Sequence, residues 1–148
     1  MYENDHNPLA WIRGLETGNV TIEDDVWIGP FCVIDGQYDK LFIGRGVNVS
    51  SGCQITTHDT VKRCVTGRRY SNIDHAPIRI EEYVYIGSNA VVLKGAIIGH
   101  HSVIAAGAVV MENAVIPPYS LVAGVPGVVK KNISESVKSW SDDEDPIQ

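Results

Sequence analysis

Residues 78–122 read IRIEEYVYIGSNAVVLKGAIIGHHSVIAAGAVVMENAVIPPYSLV. Valine or isoleucine recurs at every sixth position, at Ile80, Ile86, Val92, Ile98, Ile104, Val110, Ile116 and Val122. Two residues before each stands a second set, mostly small: Ile78, Val84, Ala90, Ala96, Ser102, Ala108, Ala114 and Ser120. A helix repeats near 3.6 residues and a strand near 2, so sixes sustained over this length fit neither alone. They fit a chain that turns a corner every six residues and stacks on itself. The reading is therefore all-β: a parallel β-helix whose valines and isoleucines point inward.

The same register appears upstream. Ile22, Ile28 and Ile34 share it, preceded by Val20, Val26 and Cys32; Ile43, Val49 and Ile55 resume it, preceded by Leu41, Val47 and Cys53. The step from Ile34 to Ile43 is nine, so DGQYDK carries a three-residue insertion. The step from Ile55 to Ile80 is twenty-five, and residues 57–77 are expected to leave the coil as one extruded loop. Three hexads close a coil, coils stack about 4.8 Å apart, and the fourteen inward positions make five coils. Gly29, Gly44, Gly87 and Gly99 each follow an inward isoleucine, where a tight corner is expected to exclude a Cβ.

These elements organise the chain as one β-helix domain over residues 1–131. Residues 1–18 are expected to cap one end, with Pro8–Ile12 as a short helix or irregular turn, since a bare strand edge invites pairing with another chain. Residues 132–148 form a C-terminal extension: a brief helix over 133–140 capped by Ser134, then an acidic, disordered tail.

Bulk composition narrows the function. Net charge is −6, and DDED at 142–145 carries four of the acids, which leaves −2 on the rest. Without a basic face, a nucleic-acid partner is not expected. No apolar run is long enough to span a membrane, and MYENDHNPLAW lacks the regions of a signal peptide. Cys32, Cys53 and Cys64 form no metal spacing; Cys32 and Cys53 fall on the inward register as small buried residues. A cytoplasmic location is the simplest reading.

Three stretches carry a family resemblance: IGRGVNVSSGCQITTHDT, APIRIEEYVYIGSNAVVLKGAIIG and IPPYSLVAGVPGVV. They resemble the hexapeptide-repeat acyltransferases, most of all the galactoside, maltose and xenobiotic acetyltransferases and the short sugar O-acetyltransferases of surface-polysaccharide pathways. The resemblance covers residues 19–131. It implies a left-handed β-helix, an exception to the usual right-handed crossover, and a homotrimer with active sites between subunits. It implies acetyl-CoA as co-substrate, no metal, and an O-acetyltransferase acting on a hydroxyl of a sugar or surface-polysaccharide precursor.

His58, three residues after inward Ile55 at the mouth of the loop, matches the catalytic histidine of that family. A sugar hydroxyl needs a base as it attacks a thioester, and an imidazole of ordinary pKa about 6.5 can take that proton and return it to the departing thiolate. Asp59 is a candidate to orient it; His75 is read as a brace of the loop. Tyr85 matches an acceptor-lining aromatic, and Asp35 and Asp39 are further acceptor-binding candidates. Ser88 and Ala106 match positions that hold the coenzyme arm, and Lys131 a later basic position. Where the family often has Thr-Lys near the end of the coil, this chain has Met111-Glu112. The basic loop residues Lys62, Arg63, Arg68 and Arg69 could meet a phosphate or simply be solvated. Alternatives remain: an N-acyltransferase on a nucleotide-linked amino sugar, a non-catalytic β-helix scaffold, or a zinc protein like the γ-class carbonic anhydrases. For the last, the spacing of His58, His75 and His100 departs from that family's closely spaced pair.

Overall fold

The computed structural model describes residues 9–143. Strands fall in turn on three faces of a triangular prism, wound in five coils. The first face carries Trp11–Arg13, Val33–Asp35, Gln54–Thr56, Val91–Val92 and Val109–Val110. The second carries Val20–Ile22, Leu41–Ile43, Ile78–Ile80, Ile97–Ile98 and Val115–Ile116. The third carries Trp27–Ile28, Asn48–Val49, Tyr85–Ile86, Val103–Ile104 and Ser120–Ala123.

Register follows the hexads. Ile80 lies opposite Ile98, and Ile98 opposite Ile116. Ile22 still faces Ile43, and Ile55 still faces Val92. The inserted residues therefore leave the stack without shifting it, because a slipped rung would turn its apolar set outward. Most of both inward sets is buried, Ile80, Ile86, Val92, Ile98 and Ile104 completely, as are Ala90, Ala96 and Ala108, while Ile22, Val26 and Ala114 near the ends are half-buried. Alternating large and small residues fills a core too narrow for aromatic rings, and each isoleucine so buried contributes about 1.5–3 kcal/mol.

Cys32 and Cys53 occupy this core one coil apart, donating to the carbonyls of Ser50 and Gly87 at 3.0 and 3.1 Å. The neighbouring Cys32 and burial push the Cys53 thiol well above its ordinary range.

Corners repeat as regularly as strands. The third residue after most inward positions has positive φ: Asp25, Phe31, Tyr83, Asn89, His101, Asn113 and Tyr119, with Gly46, Gly52, Gly95 and Gly107 at other turns. The glycines expected to serve the corner, Gly29, Gly44, Gly87 and Gly99, have no such φ; they are required because a Cβ there would meet the backbone of the next coil.

The ends differ from expectation. Trp11–Arg13 is neither helix nor irregular cap but a strand parallel to Val33–Asp35, so the first coil begins inside the 1–18 segment. The predicted domain boundary at 131 falls within a strand, Val128–Asn132, which runs antiparallel to Ser120–Ala123 and covers that edge. The helix spans Ser134–Asp142, longer than expected and taking in the start of the acidic segment, while residues 144–148 of the tail and 1–8 of the cap lie outside the described residues. Ser134 does not cap it: the Asn132 side chain accepts from the Ser134 amide at 2.8 Å and hydroxyl at 2.6 Å. Among the described residues, no helix is long and apolar enough to cross a membrane.

Candidate active site

Three departures from the hexad rhythm leave the stack at one corner, between the first and second faces. Residues 14–19, the insertion at 36–40 and the loop 57–77 do so on consecutive coils. At the position where other hexads make a left-handed turn, His58 does not, and His58–Asp59 continues extended to pair antiparallel with Asp74–His75. The loop thus has a two-stranded stem with a short helix, Val61–Val65, at its start.

His58 packs against the three-residue insertion. The Tyr38 ring lies 4.5 Å from the imidazole, centroid to centroid, and Asp35 Oδ2 lies 3.9 Å from Nδ1. The Thr56 hydroxyl is 3.4 Å from the same nitrogen. Thr57, fully buried, donates both its amide and its hydroxyl to the Asp35 carbonyl at 3.1 Å. One residue therefore ties the coil bearing Asp35 to the coil bearing His58. Asp35 is buried and its carboxylate accepts the Gln37 amide at 2.9 Å, so it is held rigidly at the rim of the imidazole.

Asp59 does not orient His58. Its carboxylate accepts the Val61 amide at 2.9 Å and lies 2.5 Å from Lys94 Nζ, which holds its pKa below the usual carboxylate range. His75 braces the stem from the other side, with Nδ1 2.8 Å from Asp39 Oδ2, so Asp39 meets the loop and not the imidazole of His58. Lys62 pairs with Asp74 at 3.5 Å, which leaves it engaged within the loop.

The other predicted residues lie elsewhere. Tyr85 stands on the third face, where the Ser50 hydroxyl donates to its own at 2.9 Å. Ser88 and Ala106 share the corner between the third and first faces, one coil apart, and Lys131 pairs with Leu121 beside the third face. Within one chain, the first face separates this group from His58, Asp35 and Asp39.

Residues 77–111 match the family described as Bacterial transferase hexapeptide (six repeats). A probable carbonic anhydrase of Methanocaldococcus jannaschii is 40% identical over 129 residues, covering 82% of this chain and 79% of that protein. The chain belongs to the hexapeptide-repeat family. The carnitine operon protein CaiE of Escherichia coli K12 is 29% identical over 90% of this chain and 70% of its own. A hexapeptide-repeat acetyltransferase of Vibrio cholerae superposes with TM-score 0.67 at 30% identity over 78% of this chain and 64% of its own, about two thirds of that protein's length. Its complex with acetyl coenzyme A gives TM-score 0.68 at 28% identity, over 86% and 70%. A maltose O-acetyltransferase of Clostridium difficile gives TM-score 0.56 at 26% identity, over 85% and 67%.

Among the described residues, the histidines of one chain do not converge. His58 faces Asp35 and Tyr38, His75 faces Asp39, and His100 and His101 pack with Tyr119 at a different corner. Among the described residues no group of three or more His, Cys, Asp or Glu side chains is placed to hold a metal ion.

Proposed function

We propose that the chain is an acetyl-CoA-dependent O-acetyltransferase, working as a homotrimer on a hydroxyl of a sugar or surface-polysaccharide precursor. The observation that carries this reading is the imidazole of His58, which stands where the hexads break with its Nδ1 edge turned to Asp35 and Thr56. With Nδ1 so engaged, Nε2 is the nitrogen that takes the acceptor's proton. The acceptor oxygen attacks the thioester carbonyl, the tetrahedral adduct collapses, and the departing thiolate takes the proton back from the imidazolium. Asp35 stabilises the charged imidazolium that exists between those two transfers. Backbone amides beside the bound thioester stabilise the oxyanion.

The division of the site across the first face supports a second copy as the source of the other half. Tyr85, Ser88, Ala106 and Lys131 then line the acceptor and coenzyme sides of a junction whose opposite wall carries His58. The acetyl-CoA-bound Vibrio relative and the maltose O-acetyltransferase are likenesses in the same direction.

The direct test offers acetyl-CoA with a panel of sugars, nucleotide sugars and amino sugars, and measures free coenzyme A with a thiol reagent. Acceptor-dependent thiol release supports the reading, release only with amino sugars replaces it by N-acylation, and no release with any acceptor refutes both. The probable carbonic anhydrase at 40% identity makes zinc-dependent hydration of carbon dioxide a second reading. Among the described residues of one chain no three donors are grouped for a zinc ion, and a stopped-flow hydration assay on the zinc-supplemented protein decides the matter.

Asp35→Asn is expected to lower kcat about tenfold, one pK unit's worth of stabilisation of the imidazolium. Removing a carboxylate beside a histidine lowers its pKa, so the acid limb of the kcat/KM profile should move to lower pH. An unmoved limb would remove Asp35 from the mechanism.

A further inference from the structure

Two acids flank the proposed base, and they are treated differently. Asp35 points its carboxylate at Nδ1 of His58, whereas Asp59, the next residue in the chain, is drawn to the coil by Lys94. Lys94 also contacts Glu112, which stands one coil further along the same corner. Its side chain is only 16% exposed, so this cation is packed between two carboxylates rather than displayed to solvent. The stem is otherwise fastened by His75 on Asp39, and Asp74, opposite Asp59, is taken up by Lys62 and by the Tyr70 hydroxyl at 2.6 Å. Every carboxylate of the stem thus has its own partner, and Asp59 has the most closely held one.

We infer that Lys94 is a positioning residue for His58: it pins Asp59 to the coil side of the stem and neutralises its charge beside the imidazole. This rests on His58 being the base of the proposed reaction. A general base must be neutral when substrate arrives, and each unscreened carboxylate nearby favours the protonated form. With Lys94 absent, Asp59 would add a second carboxylate favouring the imidazolium; with Lys94 on Asp59, Asp35 is the acid that acts on the ring. The raised pKa of Lys94 and the lowered pKa of Asp59, each caused first by their mutual hydrogen bond, agree with this geometry. The charged and titratable groups on the elements packed about the imidazole are then Asp35 at the end of its strand, the Tyr38 ring from the insertion, Asp59 from the stem, and Lys94 with Glu112 from the following coils. His75 with Asp39, and Asp74 with Lys62, complete the set on the opposite stem strand.

The same geometry accounts for Met111-Glu112, where the family resemblance leads one to expect Thr-Lys. The acid at 112 serves Lys94, one coil earlier, and the cation of this corner stands at 94.

The test is an NMR titration of the His58 ring in the full chain, its signals assigned by comparison with His58→Gln. In Lys94→Met the His58 pKa should rise by about half a unit, and Asp59→Asn added to Lys94→Met should return it to the starting value. Lys94→Arg, which keeps the charge, should leave it unchanged. A His58 pKa that is unmoved or lowered in Lys94→Met overturns the inference, as does a rise that Asp59→Asn does not reverse. If Lys94→Met does not fold, Lys94→Gln carries the same comparison. The acid limb of the kcat/KM profile should move with the NMR value. Because the titration needs no turnover, a fully active His58→Ala protein would refute the catalytic reading while leaving the Lys94 result to stand or fall by itself.

Discussion

His58→Ala is expected to lower kcat for acetyl transfer by about 10²–10⁴-fold, the usual contribution of a positioned general base. The coil should remain folded, since His58 belongs to neither inward row and the stem keeps its Asp59–Lys94 and Asp39–His75 anchors in other residues. A melting temperature within a few degrees of the parent establishes that the loss is chemical. KM for acetyl-CoA should change little, because the imidazole handles the acceptor proton and not the coenzyme. The size of the loss also identifies the acceptor's chemistry. A hydroxyl cannot attack a thioester at a useful rate without giving up its proton, whereas an unprotonated amine already has a free lone pair. A drop of several hundredfold on a sugar hydroxyl with only a few-fold drop on an amino sugar would assign the native nucleophile to oxygen. Equal rates for parent and His58→Ala on every acceptor would end the general-base mechanism. The acid limb in the parent profile should vanish in the variant, since the group that titrates there is gone.

The sequence made the scaffold legible because its constraint is local and repeated. Two inward positions per hexad, one large and one small, write the same demand many times, and Ile55 facing Val92 shows that the demand persists across the loop. The N-terminal strand was not legible because the Ala10–Ile12 pair stands by itself, ten residues before Ile22, with no second hexad to fix the register. His58 was legible as the residue at the break. Its relation to Asp35 was not, since the contact depends on Thr57 binding the Asp35 carbonyl across two coils. The Asp59–Lys94 pair was hidden for a similar reason: it joins a stem outside the repeat to a corner inside it. The sequence does carry one sign of it: Lys94 and Glu112 are eighteen residues apart, one full coil, with opposite charge. Charges one coil apart, three hexads along the chain, are neighbours on a β-helix corner, as are charges four apart on a helix.

Gly87→Ala carries the second large effect, this time on stability. Gly87 follows inward Ile86 at the corner that leads to the first face, and its φ is ordinary, so no conformational freedom is being used. A Cβ there would lie 2.5 Å from the Ala106 amide nitrogen and 2.9 Å from the Ala105 carbonyl carbon and Ala106 Cα. All three atoms are backbone of the next coil, so no side chain can rotate aside. That backbone is also held, since the Gly87 amide donates to the Ile104 carbonyl at 2.8 Å and the Gly107 amide to the Ser88 carbonyl at 2.9 Å. Relief requires the two coils to part, which stretches both bonds and opens the packed rows beneath. A cost of about 3 kcal/mol, the upper range for overpacking, corresponds to a melting temperature lower by roughly 10 °C in a chain of this size. Gly107→Ala is the control. It has φ of +71° with nothing within 4 Å of the added Cβ, so it should lose only about 1 kcal/mol of backbone strain. Calorimetric melts of the two variants separate close approach from turn conformation. If Gly87→Ala melts no lower than Gly107→Ala, the coils have slack and the corner is not fixed by contact between backbones. The same measurement bears on function, because Ser88 and Ala106 are the two residues at this corner proposed to receive the coenzyme arm. Coils that part there move one against the other, so Gly87→Ala should raise KM for acetyl-CoA at temperatures well below its melt, an effect that Gly107→Ala should produce to a smaller degree.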